Sequence, residues 1–413
     1  MANRVMDLPS ALAGRTRLRA STESVAAKRL ESVDVLRGVV MILMALDHAR
    51  DYFGAAGINP TDPSTTTAQL FFTRWITHFC APTFFLLTGT GAYLSQRRRG
   101  KGGLSRFLVT RGLWMIALDV VILRCLGWQF NVDFRVTLLI VLWALGWSMI
   151  TLSLLVRWPP IVAAVFGVTL IAGHNLLDGV RPSVFGPAAP LWLILHQPGL
   201  LHGPPHFLIV AYPLIPWVGV TAVGYALGQV FDWTGERRRT FLLRTGIALS
   251  TAFVALRWLN VYGDPARWSV QRSPAFTLLA FLNTTKYPPS LLFLLMTLGP
   301  ALLVLSAVDV SVPRWLRPAI VFGRVPLFYF ALHVVLIHLL ALVVCWYRFG
   351  AVHWVFESPR PDTYPFTQPP GWPLSLPYVY GIWLGVVAAL WPLCRWYASL
   401  RERRRDLWWL SYL

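Results

Sequence analysis

Residues 30–52 constrain this chain more than any other stretch, because they are long and apolar enough to cross a bilayer yet hold charge where lipid opposes it. Arg37 and Asp47 are ten positions apart, or about 15 Å along a helix. The hydrocarbon layer is about 30 Å thick, so both cannot lie at headgroup level. At least one faces the inside of a bundle or a wet cavity, where ionisable residues mark function by default. His48 and Asp51 follow three positions apart, and Asp47 and Asp51 share a face at four. A carboxylate beside an imidazole fixes its tautomer and raises its basicity, so Asp47, His48 and Asp51 are candidate catalytic residues. The plainer alternative is a helix end whose polar residues sit among headgroups.

Composition sets the class. Charged residues make up 13% of the 413, against about 25% in soluble domains, and the mean hydropathy is +0.55. The chain reads as an all-α polytopic membrane protein. Its net charge of +19 would suggest nucleic acid in a soluble protein, but here the charge gathers at the ends of apolar runs. That distribution points to topology and anionic lipid, and no nucleic-acid partner is expected. Cys80, Cys125, Cys345 and Cys394 lie far apart in or beside apolar runs, as small packers would. The first thirty residues lack an apolar signal-peptide core and read as a disordered basic tail.

About ten transmembrane helices are expected, at 33–52, 69–95, 104–126, 134–156, 159–176, 207–230, 240–262, 288–308, 318–345 and 376–398. With both termini on one side, that side carries 23 Lys and Arg against 11 on the other. The bias orients both ends to the cytoplasm. Long Gly-, Pro- and Trp-rich connections fall outside, and residues 188–200, too short to span, read as interfacial or re-entrant. One membrane domain, 31–398, lies between basic tails at 1–30 and 399–413.

Further candidates come span by span. His78 lies in the outer third of the second span, and Pro82 frees its carbonyl. Tyr329 and His333 share a face of the ninth span, whereas His338 is rotated away. Lys286 and Tyr287 open the eighth span, where Lys286 either holds an acceptor or anchors the interface. Arg37, Arg111 and Arg324 each adjoin a glycine near the cytoplasmic end of a span. Arginine suits phosphate, and a neighbouring glycine would admit a large ligand, so the three form a candidate anion pocket; snorkelling to headgroups is the ordinary alternative. His196, His202 and His206 share an outer loop, but glycine and proline interrupt their spacing, and no metal is expected.

Val33-Asp-Val-Leu-Arg-Gly38, Leu46-Asp-His48, Trp75-Ile-Thr-His-Phe-Cys-Ala-Pro82, Lys286-Tyr-Pro-Pro-Ser290 and Gly323-Arg-Val-Pro-Leu-Phe328 together resemble a family of bacterial membrane proteins of undefined role. Their domain is like the catalytic domain of heparan-alpha-glucosaminide N-acetyltransferase. The resemblance spans most of 30–398 and implies a transmembrane acyltransferase bundle. In lysosomal relatives, an acyl group from cytoplasmic acetyl-CoA reaches an amino sugar on the far side. Arg37 falls on the family's Arg-Gly motif, and His48 where the lysosomal enzymes have a polar active-site asparagine. Their proposed catalytic histidine lies in the loop after the first span, and residues 53–68 hold none. The expected base is therefore His48 or His78, with Asp47 or Asp51 orienting it. Acetyl-CoA or another acyl-CoA is the expected donor, held by Arg37, Arg111 and Arg324. The acceptor is a sugar, an amine or a lipid-linked group, met by Lys286, Tyr287, Tyr329 and His333; heparan is not expected in a bacterium. A homodimer is compatible with this reading. A proton-coupled transporter using Asp47, His48 and His333, or a member that binds without turnover, are the alternatives.

Overall fold

A computed structural model describes residues 10–404 and 406–412. Helix α1 (Ser10–Phe53) runs through the middle of the bundle, and its segment 10–30 is helical where composition suggests disorder. The part of the expected tail at 1–9 lies outside the described residues. Helix α2 (Ala68–Thr77) begins on a Thr67 cap, and α3 (Cys80–Ala117) follows after a two-residue break. The expected second span is thus split at His78, because Pro82 has no N–H to offer the carbonyl four residues earlier. Gly100 (φ 66°) turns α3 back on itself, a conformation that suits a residue without Cβ. A π-helical segment, 118–128, extends α3.

Strand β1 (Val136–Leu139) precedes α4 (Val141–Leu155), α5 (Pro160–Gly173) and the short α6 (Ala189–Leu195). Strands β2 (Gly199–His202) and β3 (Phe207–Val210) lead into α7 (Leu214–Leu227). β3 pairs parallel to β1 and antiparallel to β2. The expected spans at 134 and 207 therefore start too early. Short apolar runs of β-branched residues serve strand as well as helix, and length is the arbiter. The chain continues through α8 (Gly235–Leu259), α9 (Pro274–Leu282), α10 (Leu291–Val308), α11 (Arg317–Arg324), α12 (Pro326–Phe349) and α13 (Leu376–Arg403). The expected ninth span is broken between α11 and α12, where Val325 leaves the helical region (φ −131°, ψ 52°). A residue before proline is pushed out of that region.

Among the described residues, six helical segments are apolar and long enough to cross a membrane. The other expected spans are helical but carry charge, as in α1 and α3, or are shorter, as in α4. α7 and α10 are mostly buried, whereas α5, α8 and α13 turn apolar side chains such as Val165, Val254 and Leu384 outward. This is the arrangement of an all-α bundle with a lipid-facing rim. The tail after α13 packs back on α3: Trp114 Nε1 donates to the Tyr412 carbonyl at 3.1 Å.

Candidate functional site: two cavities and a buried histidine pair

Beside Arg37, about midway along α1, lies a cavity of about 300 Å³. Arg37, Arg98, Arg99, Arg111, Arg324 and Arg401 line it, with no carboxylate among the described lining residues. Arg37 donates to Asp34 Oδ1 and to the Gly323 carbonyl, both at 3.0 Å. Arg324 donates to Glu402 at 3.1 Å. From outside the wall, Asp34 thus answers Arg37 and Glu402 answers Arg324. Pro326 and Leu327 also line the cavity, so the first turn of α12 presents its positive end there.

The glycines beside these arginines pack helices. A Cβ on Gly38 would collide with the Ala319 carbonyl, and one on Gly323 with the Asp34 carbonyl, so the backbones of α1 and α11 touch. Gly112 meets the Gly146 carbonyl of α4 in the same way. These contacts, rather than room for a ligand, explain the Arg–Gly pairs; they fix Arg37, Arg324 and Arg111 around one hollow.

At the C-terminal end of α1 is a polar cavity of about 480 Å³, walled in part by Arg50, Asp51, Arg74, His78, Lys286 and Tyr287. Asp47 sits behind the wall as the hub of an ion network. It accepts from Arg74 and from Arg50 (3.0 Å), with Lys286 Nζ 4.0 Å away, while Arg50 also reaches Asp51. The buried Nδ1 of His78 has no partner among the described residues, and Phe293 flanks the ring at 5.3 Å. Asp264 braces the connection that carries Lys286. It accepts from Thr285 N (2.9 Å), Thr285 Oγ1 (2.8 Å) and Ser290 Oγ (2.8 Å). Burial pushes the neighbouring Tyr287 phenol up, but the charges of Lys286 and Arg74 outweigh it, and the phenol lies below its ordinary value.

His48 projects from α1 between these two regions. It does not bond Asp47 or Asp51; its Nδ1 lies 2.7 Å from His333 Nε2, and His333 Nδ1 lies 2.9 Å from the Tyr329 carbonyl. A carbonyl can only accept, so His333 carries its proton on Nδ1 and offers Nε2 as acceptor. His48 must then donate through Nδ1, which leaves a lone pair on its Nε2. That nitrogen has no hydrogen-bond partner among the described residues, and His48 keeps 8% of its surface accessible. Trp128 and Phe330 hold the ring edge-to-face at 4.9 and 5.8 Å. The buried Tyr329 hydroxyl has no hydrogen-bond partner among the described residues.

The candidates therefore fall into three places. Arg37, Arg111 and Arg324 share the basic cavity, His48 and His333 form a pair, and Asp51, His78, Lys286 and Tyr287 line the polar cavity backed by Asp47. Sequence reasoning missed Arg74, although its place inside Phe71-Phe72-Thr73-Arg74-Trp75 breaks the same rule that marked Arg37. Arg98, Arg99 and Arg401 were legible only as topology signals, and nothing local pointed to Asp264. His338 bonds the carbonyls of Gly127 and Val355, away from His48.

The family described as heparan-alpha-glucosaminide N-acetyltransferase, catalytic, matches residues 29–263, more than half of the chain. The chain belongs to that family. No curated protein matches it. Within this acetyltransferase-type family chain, the matched segment holds Arg37, Asp47, His48, Asp51, Arg74, His78 and Arg111. Lys286, Arg324 and His333 lie beyond it, so the His48 pair joins the matched segment to a residue outside it.

Proposed function

We propose that this protein moves an acyl group from a coenzyme A thioester to an amine or hydroxyl of a sugar, glycolipid or small amine on the opposite side of the membrane. One observation carries the reading: an arginine pocket beside Arg37, about midway along α1, and a polar cavity at the C-terminal end of the same helix, with an imidazole of defined tautomer between them along the chain. The arginines and the α12 N-terminus would hold the donor's phosphates. Arg37 and His48 are eleven positions apart, about 16 Å along α1, a span suited to the pantetheine arm. His48 Nε2 would take the acceptor's proton as the acceptor attacks the thioester carbonyl; the C–S bond then breaks and the thiolate leaves with a proton. No covalent acyl-enzyme is needed. His78, Lys286 and Tyr287 would seat the acceptor, and His333 positions His48. The excess of 23 Lys and Arg over 11 supports the arginine pocket facing the cytoplasm, in a bacterial inner membrane.

Calorimetry with acetyl-CoA on the full chain in nanodiscs tests this. Wild type binds, and Arg37→Ala and Arg324→Ala each weaken binding at least about tenfold, the scale of one lost charge-assisted hydrogen bond. Proton-coupled uptake without affinity for CoA would replace the enzyme with a transporter. Binding without transfer to any sugar or amine acceptor would leave a non-catalytic member.

A further inference from the structure

A second polar cluster stands apart from both cavities. His174 follows α5, Asp178 lies one short turn later, and His196 caps α6. Their ligand atoms lie within 4.8 Å of one another, and His196 Nε2 stands 3.4 Å from Asp178 Oδ1. Bonds of 2.0–2.1 Å to a tetrahedral zinc would set neighbouring ligand atoms about 3.3 Å apart. Both rings are buried, and none of their four nitrogens has a well-formed hydrogen bond among the described residues. Two buried imidazoles side by side without a well-formed hydrogen bond are costly unless something takes their lone pairs. His202 and His206 do not share this state; their Nδ1 atoms reach the carbonyls of His206 and Phe134.

We propose that His174, Asp178 and His196 bind one zinc ion that clamps the connection between α5 and α6 to the bundle. Two imidazoles and a carboxylate suit this borderline cation better than calcium or magnesium, which prefer all-oxygen shells. The surroundings resemble the outer layer of such a site. Asn175 donates to Asp178 Oδ2 at 2.8 Å, and the Pro289 carbonyl approaches His174 without completing a hydrogen bond of normal geometry. Asn175 Oδ1 also accepts from Leu291 N at 2.9 Å. The clamp therefore reaches the start of α10, just past the connection that carries Lys286. Asp178 keeps 22% of its side chain accessible, so a water completes the shell on its side. None of the three residues lines the polar cavity, so the ion would act on the α5–α6 connection and not in that cavity.

The test uses the full chain in nanodiscs, tag removed and stripped with a chelator, then loaded with zinc chloride or cobalt chloride and desalted. Elemental analysis should find about one zinc per chain, and cobalt should give the intense visible bands of a tetrahedral site. Zinc should raise the melting midpoint of the stripped protein. His174→Gln and His196→Gln should lose the retained metal, the cobalt bands and the zinc-induced shift, whereas His202→Gln keeps all three. Wild type that retains no zinc and shows no cobalt bands overturns the proposal without reference to any variant. So does folded His174→Gln protein that still retains stoichiometric zinc.

Discussion

Replacing His333 with alanine tests the histidine pair directly. The substitution removes the acceptor 2.7 Å from His48 Nδ1 and leaves a buried donor with nothing to bond. That loss is about 1–3 kcal/mol, or about 5- to 150-fold in rate at 1.36 kcal/mol per factor of ten. Removing the base itself costs more: general-base catalysis contributes about 10²- to 10⁴-fold, so His48→Ala should be the slower enzyme. Once His48 is gone, His333 has nothing to orient, and the double variant should be no slower than His48→Ala. His333→Gln, whose amide oxygen can accept the same proton, should recover part of the loss. Single-turnover acyl transfer gives the rates, with acetyl-CoA affinity measured alongside to show that the donor site is intact. Nitrogen-15 spectra of the wild-type imidazoles give a readout independent of turnover, with His48 protonated on Nδ1 and bare on Nε2. A proton on His48 Nε2 would refute the tautomer argument. A His333→Ala enzyme as slow as His48→Ala would make His333 a base in its own right.

Asp47→Asn should lower thermal stability strongly, by about 3–5 kcal/mol, because Arg74 and Arg50 stay in place without their shared carboxylate. Pairing it with Arg74→Gln should restore part of the loss in a detergent melting assay; no recovery would mean the two side chains are not coupled. Gly38→Leu should separate α1 from α11, costing at least about 1–3 kcal/mol from overpacking and weakening acetyl-CoA binding along with stability, whereas Gly102→Leu, which faces open space, should do neither. Asp264→Ala should release the connection that carries Lys286, raising KM for the acceptor while leaving acetyl-CoA affinity unchanged.

What the sequence made legible follows from the range over which each signal acts. Charge inside an apolar run is a local signal, and it marked Arg37, Asp47 and His48. The break at His78 is equally local, since Pro82 dictates it. The pairing of His48 with His333 is different. Periodicity gives the face a residue occupies but not its depth against a helix 285 positions away, so the nearer Asp47 or Asp51 looked the natural partner. Asp47 was unavailable because Arg74 and Arg50 had engaged it. The glycines illustrate an ambiguity of another kind. The bare backbone at Gly38 and Gly323 reads as room for a ligand, but a missing side chain does not say whether a ligand or a neighbouring helix fills the space, and here a helix does.

The interruption at Val325 has a mechanical meaning. Arg324 belongs to a short rod pressed against α1 through bare backbone, while His333 rides on a separate rod beginning at Pro326. A tilt of the longer rod about this joint would pull His333 off His48 and leave the arginine cluster undisturbed. Since that rod's first turn also forms part of the arginine hollow, a molecule lodged there would brace the joint and hold the two imidazoles together.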